Sequence, residues 1–282
     1  MKTDNYVITK FDVRMPKLIY GTAWKEEQSA SLVELAIQTG FRGIDTACQP
    51  KHYNEAGVGD GIAACVKQGL LTRSDLYLQT KFTPLSGQDP NRIPYDANAP
   101  LAEQVAQSFQ VSLKNLKTDY LDCLILHSPL SNPHDTHEVW RAMESKVATG
   151  GVRQLGISNC YDLKTLTELV NFAAIKPAVI QNRFYATTGY DKAIRDFCRQ
   201  HQIVYESFWT LTANPHLLKD PSLQHIATRR QLNPSQVFFR YLTQIGIVPL
   251  TGTTSVTHMQ EDLAIFEFEL TEQECGVIEK LI

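Results

Sequence analysis

Four side chains in the first half of this sequence are suited to moving a proton onto oxygen: Asp45, Tyr53, Lys81 and His127. Asp45 lies in a short run, Gly43 to Ala47, that reads as a buried strand. An acid there is costly unless it is paired. Lys81, near the end of the β-prone run Asp75 to Phe82, is its expected partner. A lysine ammonium near the Tyr53 hydroxyl favours phenolate, which is expected to lower the tyrosine pKa from its usual ~10. His127 closes the run Tyr120 to Leu126 and can hydrogen-bond and orient a carbonyl oxygen. Such a set can protonate a developing alkoxide. The alkoxide needs a hydride, which no side chain supplies and a nicotinamide does. Ser158, Asn159 and Gln181, at two later strand ends, suit the carboxamide of such a ring. Singly, each residue has a plainer use: Asp45 as a helix cap, Lys81 as a surface cation, Tyr53 as an incidental loop residue, His127 as a satisfied core histidine. The set, mapped to one place, carries the chemistry.

The elements that must position these residues alternate along the chain. Val7-Ile8-Thr9 and Leu18-Ile19-Tyr20 are β-prone, with Asp12 and Met15-Pro16 supplying turn chemistry between them. Helices are expected over Ser29 to Thr39, stopped by Gly40, and over Asn54 to Gly69. After the Lys81 strand comes a long polar stretch, Pro84 to Pro100, of a length that is often functional. Then follow a helix over Leu101 to Lys117, the His127 strand, a helix over Thr136 to Ala148 and a strand over Val152 to Ile157. Next come a helix over Asp162 to Ala174, a strand over Ala178 to Tyr185, a helix over Asp191 to His201 and a strand over Ile203 to Trp209. Asn233-Pro234 opens a helix to about Gln244, Ile247 to Leu250 is the last inner strand, and helices near Thr257 to Phe266 and Thr271 to Ile282 close the chain. Eight strand-then-helix units with no linker between them argue for one (β/α)₈ TIM barrel over residues 1–282. A doubly wound sheet would want a GxGxxG turn after its first strand, and none is present. In a barrel, the candidate residues gather at the C-terminal ends of the strands, where active sites form.

Bulk properties exclude several classes. With 282 residues, 43% hydrophobic, a large core can form. A net charge of -3 gives no bias toward nucleic acid or anionic membrane, and no apolar run is long enough to span a bilayer. Met1 to Asn5 lack the apolar segment of a secretory signal, and the six cysteines form no CxxC pair. A cytoplasmic protein with free thiols and no metal site is expected, acting on a small molecule as a monomer.

The sequence resembles the aldo-keto reductase superfamily over nearly its whole length. Gly40-Phe41-Arg42-Gly43-Ile44-Asp45-Thr46-Ala47 is similar to that family's first signature, Leu121-Asp122 with Leu124 to His127 to its histidine strand, and Gly156-Ile157-Ser158-Asn159 to its nicotinamide-binding strand end. The resemblance implies a (β/α)₈ barrel reducing aldehydes and ketones, usually with NADPH, through a tetrad of Asp45, Tyr53, Lys81 and His127. Gly21-Thr22-Ala23-Trp24 resembles the first-strand segment that touches cofactor and substrate, and Val13-Arg14-Met15-Pro16 part of a hairpin plugging the barrel floor. Ser207, Phe208 and Trp209 are assigned to the cofactor, with Phe208 or Trp209 stacking on the nicotinamide.

Three departures from the family pattern matter. The interval from Asp45 to Tyr53 is longer than usual, and counting back from Asn54-Glu55 puts His52 at the family's tyrosine position; Tyr53 is chosen because a phenol has the required chemistry and a loop insertion costs little. The 2′-phosphate site lacks the expected Lys-Ser pair and arginine: Gly252, Thr253, Thr254 and His258 stand there, followed by Glu261 and Asp262. NADPH remains the expected cofactor, with NADH use open. The sequence carries no long C-terminal loop, which predicts a shallow pocket and broad substrate selection. Trp24, Phe82, Tyr95, Phe208 and Trp209 are candidate pocket walls, although the pleat would put Thr83 rather than Phe82 on the side of Lys81. Two other readings stay open: a nicotinamide-nucleotide-binding redox sensor with little turnover, and a barrel lyase or isomerase without nicotinamide.

Overall fold

The computed structural model describes residues 5–282; Met1 to Asp4, on which most of the reading of the N-terminus rests, lie outside the described residues. A hairpin comes first. Strands β1 (Tyr6–Ile8) and β2 (Arg14–Pro16) pair antiparallel, with Tyr6 opposite Pro16. Met15-Pro16 therefore belongs to a strand and not to the turn expected of it. The turn falls on Asp12, whose φ of 58° is in the left-handed region that Asp tolerates better than most residues.

The next eight strands are all parallel and close on themselves: β3 (Ile19–Gly21), β4 (Gly43–Asp45), β5 (Tyr77–Phe82), β6 (Leu121–Leu126), β7 (Val152–Ser158), β8 (Val179–Arg183), β9 (Val204–Phe208) and β10 (Ile247–Thr251), with β10 completing the ring beside β3. The hairpin caps the barrel floor: Val13 and Met15 pack with Ile19, Tyr77, Cys123, Ile125 and Val248 in a cluster separate from the main core. The Thr9 hydroxyl reaches up to donate to the Gln154 side chain at 2.6 Å. The larger apolar cluster lies between the strands' outer faces and the helices, which is why those strands read as near-continuous apolar runs.

Helices α1 (Ser29–Thr39), α2 (Glu55–Lys67), α3 (Leu101–Leu116), α4 (Pro133–Ala148), α5 (Leu163–Phe172) and α6 (Lys192–Gln200) form the outer layer of the first units. Two caps here fix helix starts. Asn54 caps α2 by accepting from the Gly57 N–H at 2.9 Å, and so fixes the helix start immediately after Tyr53. Asn132 caps α4, with Pro133 in its first turn, so α4 begins three residues before the expected Thr136. Two further helices, α7 (Pro215–Leu218) and α8 (Pro221–Arg230), precede α9 (Pro234–Gln244); the sequence reading left them out, although Asn214-Pro215 and Asp220-Pro221 carry the same start signal as Asn233-Pro234. Helices α10 (Val256–Leu263) and α11 (Glu272–Glu279) end the fold.

Gly59 shows how tightly α2 is seated. A Cβ there would stand 2.0 Å from the Asn115 carbonyl oxygen of α3. Gly59→Ala must push α2 away from α3, and is expected to cost about 2 kcal/mol or more, read as a lowered denaturation midpoint at unchanged slope.

Candidate active site

The pleat decides which side chains enter the barrel. In β5, Tyr77, Gln79 and Lys81 point inward, and Leu78, Thr80 and Phe82 point outward to the helices. Register then stacks the polar residues at the upper end: Asp45 lies opposite Gln79, and Gln181 opposite Glu206. Lys81 Nζ donates to both oxygens of Asp45 at 2.6 and 2.7 Å and to the Thr46 carbonyl at 2.9 Å. Asp45 Oδ1 also accepts from Gln79 at 2.8 Å and Gln181 at 3.0 Å. Those two amides donate in addition to Glu206 Oε2, at 2.9 and 2.6 Å.

Tyr53 stands over this pair. The Lys81 ammonium is 5.3 Å from its ring centroid, and the His127 ring lies 6.0 Å away, edge on. His52 also lines the mouth, but its ring packs on Trp24 at 3.8 Å, and its carbonyl accepts from the Trp24 N–H. Glu55, the first residue of α2, is held by Thr80 at 2.6 Å and Asn115 at 3.1 Å, so the loop carrying Tyr53 is pinned to β5 and α3.

Burial overturns one expectation. The Tyr53 pKa is raised, not lowered: burial is the largest cause, Lys81 opposes it, and the Asp45 charge adds to it. For Lys81, burial works against the charge, but Asp45, Tyr53 and Glu206 together outweigh it and raise the pKa. His127 is pushed down to about 3 by burial, then by the charges of Lys81 and His52, so its ring is neutral. The Thr83 hydroxyl meets His127 Nδ1 at 2.6 Å and orients that ring.

One cavity of about 1070 Å³ spans the barrel mouth from Gly21 and Ala23 past Asp45, Tyr53, His127, Ser158, Asn159 and Gln181 to Phe208 and Trp209, then on to Gly252, Thr253, His258, Glu261 and Asp262. Trp24 flanks it and is 57% exposed. Several expected residues do not reach it. Phe82 and Tyr95 pack on each other, with ring centroids 5.7 Å apart, in the outer core, where the Tyr95 hydroxyl donates to the Thr83 carbonyl at 2.7 Å. The substrate walls expected of them are thus core, because the pleat turns Phe82 away from Lys81. Thr83 is buried under His127 rather than facing the cavity. Thr22 spends its hydroxyl on the Asp45 carbonyl. Ser207 points outward and accepts from Thr210, and Thr254 does not line the cavity.

A family model described as "Aldo/keto reductase family" matches residues 17–282. The chain belongs to the aldo/keto reductase family. Among relatives of this reductase chain, the "Uncharacterized oxidoreductase YtbE" of Bacillus subtilis is 31% identical over 272 residues, covering 95% of this chain and 90% of that protein. The "Glyoxal reductase" of the same species is 31% identical over 254 residues, covering 90% and 83%. A crystal structure of an aldo/keto reductase from Brucella melitensis superposes with a TM-score of 0.84 at 28% identity, covering 98% of this chain and 99% of that one. The closed barrel with its N-terminal hairpin is the architecture it shares with this aldo/keto reductase. Among the described residues no helix is long and apolar enough to cross a membrane, and no group of His, Cys, Asp and Glu could hold a metal ion.

With Gln79, which donates to both acids, Glu206 is a residue of this cluster that the sequence reading missed. It is fully buried, and its pKa is pushed up to about 8, first by burial and then by the Asp45 charge. The signal was present: in Ile203 to Trp209, Glu206 is in phase with Phe208, which puts an acid on the inner face. The folded state holds this proton up to about pH 8, whereas the unfolded chain releases it near the ordinary 4.5. Across that window the unfolded state binds fewer protons, so stability falls as pH rises. Glu206→Gln removes the titrating group, and melts at pH 5 and pH 8 are expected to differ less in the variant than in the wild type.

Proposed function

We propose that this chain reduces aldehydes or ketones to alcohols, with NADPH as cofactor and NADH also accepted. The observation that carries the reading is the convergence of the Lys81–Asp45 pair, the Tyr53 ring and a neutral His127 at one end of a cavity large enough for a dinucleotide. The donor set suits the nicotinamide end. Ser158 donates to the Gln181 carbonyl, Asn159 donates to the His127 carbonyl, and Gln181 donates to Asp45 and Glu206. With their donors committed, these residues present acceptor oxygens to a carboxamide NH₂. Phe208 supplies an apolar face on the same wall. At the far end His258, beside Thr253, faces two acids, and the Lys25 ammonium is engaged by the Gly252 carbonyl, which supports weak selection for a 2′-phosphate.

When bound, reduced nicotinamide supplies hydride to the carbonyl carbon. Tyr53 carries the proton destined for the developing alkoxide. Its raised pKa keeps the phenol protonated at neutral pH. Lys81, held by Asp45, offsets charge on the phenol oxygen as the proton leaves, so it acts most strongly as charge develops. In the tautomer in which the Thr83 hydroxyl donates to Nδ1, the His127 hydrogen is on Nε2 and is donated toward the substrate oxygen. Neither Tyr53 nor His127 changes charge between about pH 5 and 9, so neither contributes an inflection to kcat/KM in that range.

The test is consumption of NADPH and of NADH with small reactive aldehydes, glyoxal among them, and chromatography of the alcohol formed. One alcohol per nicotinamide oxidised supports the reading. Consumption without alcohol, or no consumption with either cofactor, counts against it.

A further inference from the structure

Arg183 closes β8 two residues beyond Gln181, so the pleat turns it to the cavity. Its guanidinium lies over the Trp209 ring, 4.2 Å from the centroid, and 5.4 Å from the centroid of Tyr185. Two aromatic faces thus fix the plane of the group. Its edge is unspent. Among the described residues no carboxylate and no carbonyl engages the side chain, and Nε is shut off from solvent with no acceptor. Other part-buried arginines here have found acceptors: Arg73 donates to Asp122 and to the Leu76 and Tyr120 carbonyls, and Arg42 to the Ile37 and Phe41 carbonyls. Of the acids lining the cavity, Asp45 is taken by Lys81, Asp262 by the Thr251 hydroxyl, and Glu261 forms no ion pair with it.

Arg183 is also tied to the reacting end. Its backbone N–H donates to the Tyr161 hydroxyl at 3.0 Å, that hydroxyl donates to Asn159 Oδ1 at 3.2 Å, and Asn159 Nδ2 donates to the His127 carbonyl at 2.9 Å. A planar guanidinium, stacked on rings with a free edge, matches an oxyanion presenting two oxygens side by side.

We propose that Arg183 is the anion-binding residue of this cavity, taking the carboxylate or phosphate group of a ligand seated there. The inference rests on the reductase reading in naming the two sources of that anion: an acidic end on the carbonyl substrate, or the diphosphate of the dinucleotide. Both use the same edge of the same side chain.

The experiment compares wild type, Arg183→Met and Arg183→Lys. Calorimetry with benzoate and with inorganic pyrophosphate reads the site without turnover. Steady-state assays with para-carboxybenzaldehyde and para-nitrobenzaldehyde read it through their ratio of kcat/KM. Arg183→Met is expected to weaken one probe by about tenfold or more, with Arg183→Lys between the two because it keeps the charge and loses the paired geometry. Loss of benzoate binding together with a fall in the carboxy-to-nitro ratio assigns the anion to the substrate. Loss of pyrophosphate binding with the ratio unchanged assigns it to the dinucleotide. If Arg183→Met binds both probes as the wild type does and keeps its aldehyde ratio, the proposal is overturned. If the wild type reduces neither aldehyde while Arg183→Met still loses a probe, the reductase reading fails and the anion site stands.

Discussion

Lys81→Met is expected to abolish turnover and to lower Tm by at least about 6 °C, from a cost of about 3–5 kcal/mol at roughly 2 °C or more per kcal/mol. Lys81 is 1% exposed, and its ammonium makes two of the bonds that keep the Asp45 charge inside the barrel. Without it, Asp45 retains only the Gln79 and Gln181 amides, and the Glu206 carboxyl stands beside them as a second acid. The loss is therefore a buried, uncompensated charge rather than a missing contact. A second substitution separates the two effects. Asp45→Asn with Lys81→Met removes both charges, and is expected to recover most of the stability and none of the activity. Thermal melts and turnover on the same preparations check both.

Tyr53→Phe is expected to lower kcat by about 10³-fold, within the range for loss of a positioned general acid, while the dissociation constant for NADPH stays within about threefold of wild type. The phenyl ring keeps its place between Lys81 and His127, so the change removes one hydroxyl from a site otherwise intact. The pH dependence has a defined sign. The acid must be protonated to act, burial raises its pKa above the usual ~10, and so the wild-type rate falls only at strongly alkaline pH.

The barrel was legible because the strands are largely apolar, where they meet the helices, and several helices open or close on a readable cap, such as Gly40, Asn54 and Asn233. Of the helices that went unread, α7 is short, and both α7 and α8 lie where no strand follows to demand them. The convergence of these polar side chains was legible for a related reason: Asp45, Lys81 and His127 sit at strand ends, where a parallel barrel collects its polar side chains. The direction of the Tyr53 shift was not, because it depends on how much water the assembled mouth excludes, and no local pattern reports that. Phe82 and Tyr95 show the same limit. Both are aromatic and near Lys81 in sequence, but one step of the pleat sends Phe82 to the other face, and Tyr95 follows it into the core. Glu206 and Arg183 were readable from strand phase alone, since each is two residues from a residue already placed inside, Phe208 and Gln181 respectively.

The measurement that bears most directly on the account is a single-turnover assay of wild type, Tyr53→Phe and His52→Phe with bound NADPH and a reactive aromatic aldehyde. His52 packs on Trp24 at the rim, whereas Tyr53 stands over Lys81. Rapid nicotinamide oxidation is expected from wild type and His52→Phe, and none on that timescale from Tyr53→Phe. Turnover that survives Tyr53→Phe and is lost in His52→Phe would contradict it, and tight NADPH binding with no turnover by wild type would mark the chain as a nucleotide sensor instead.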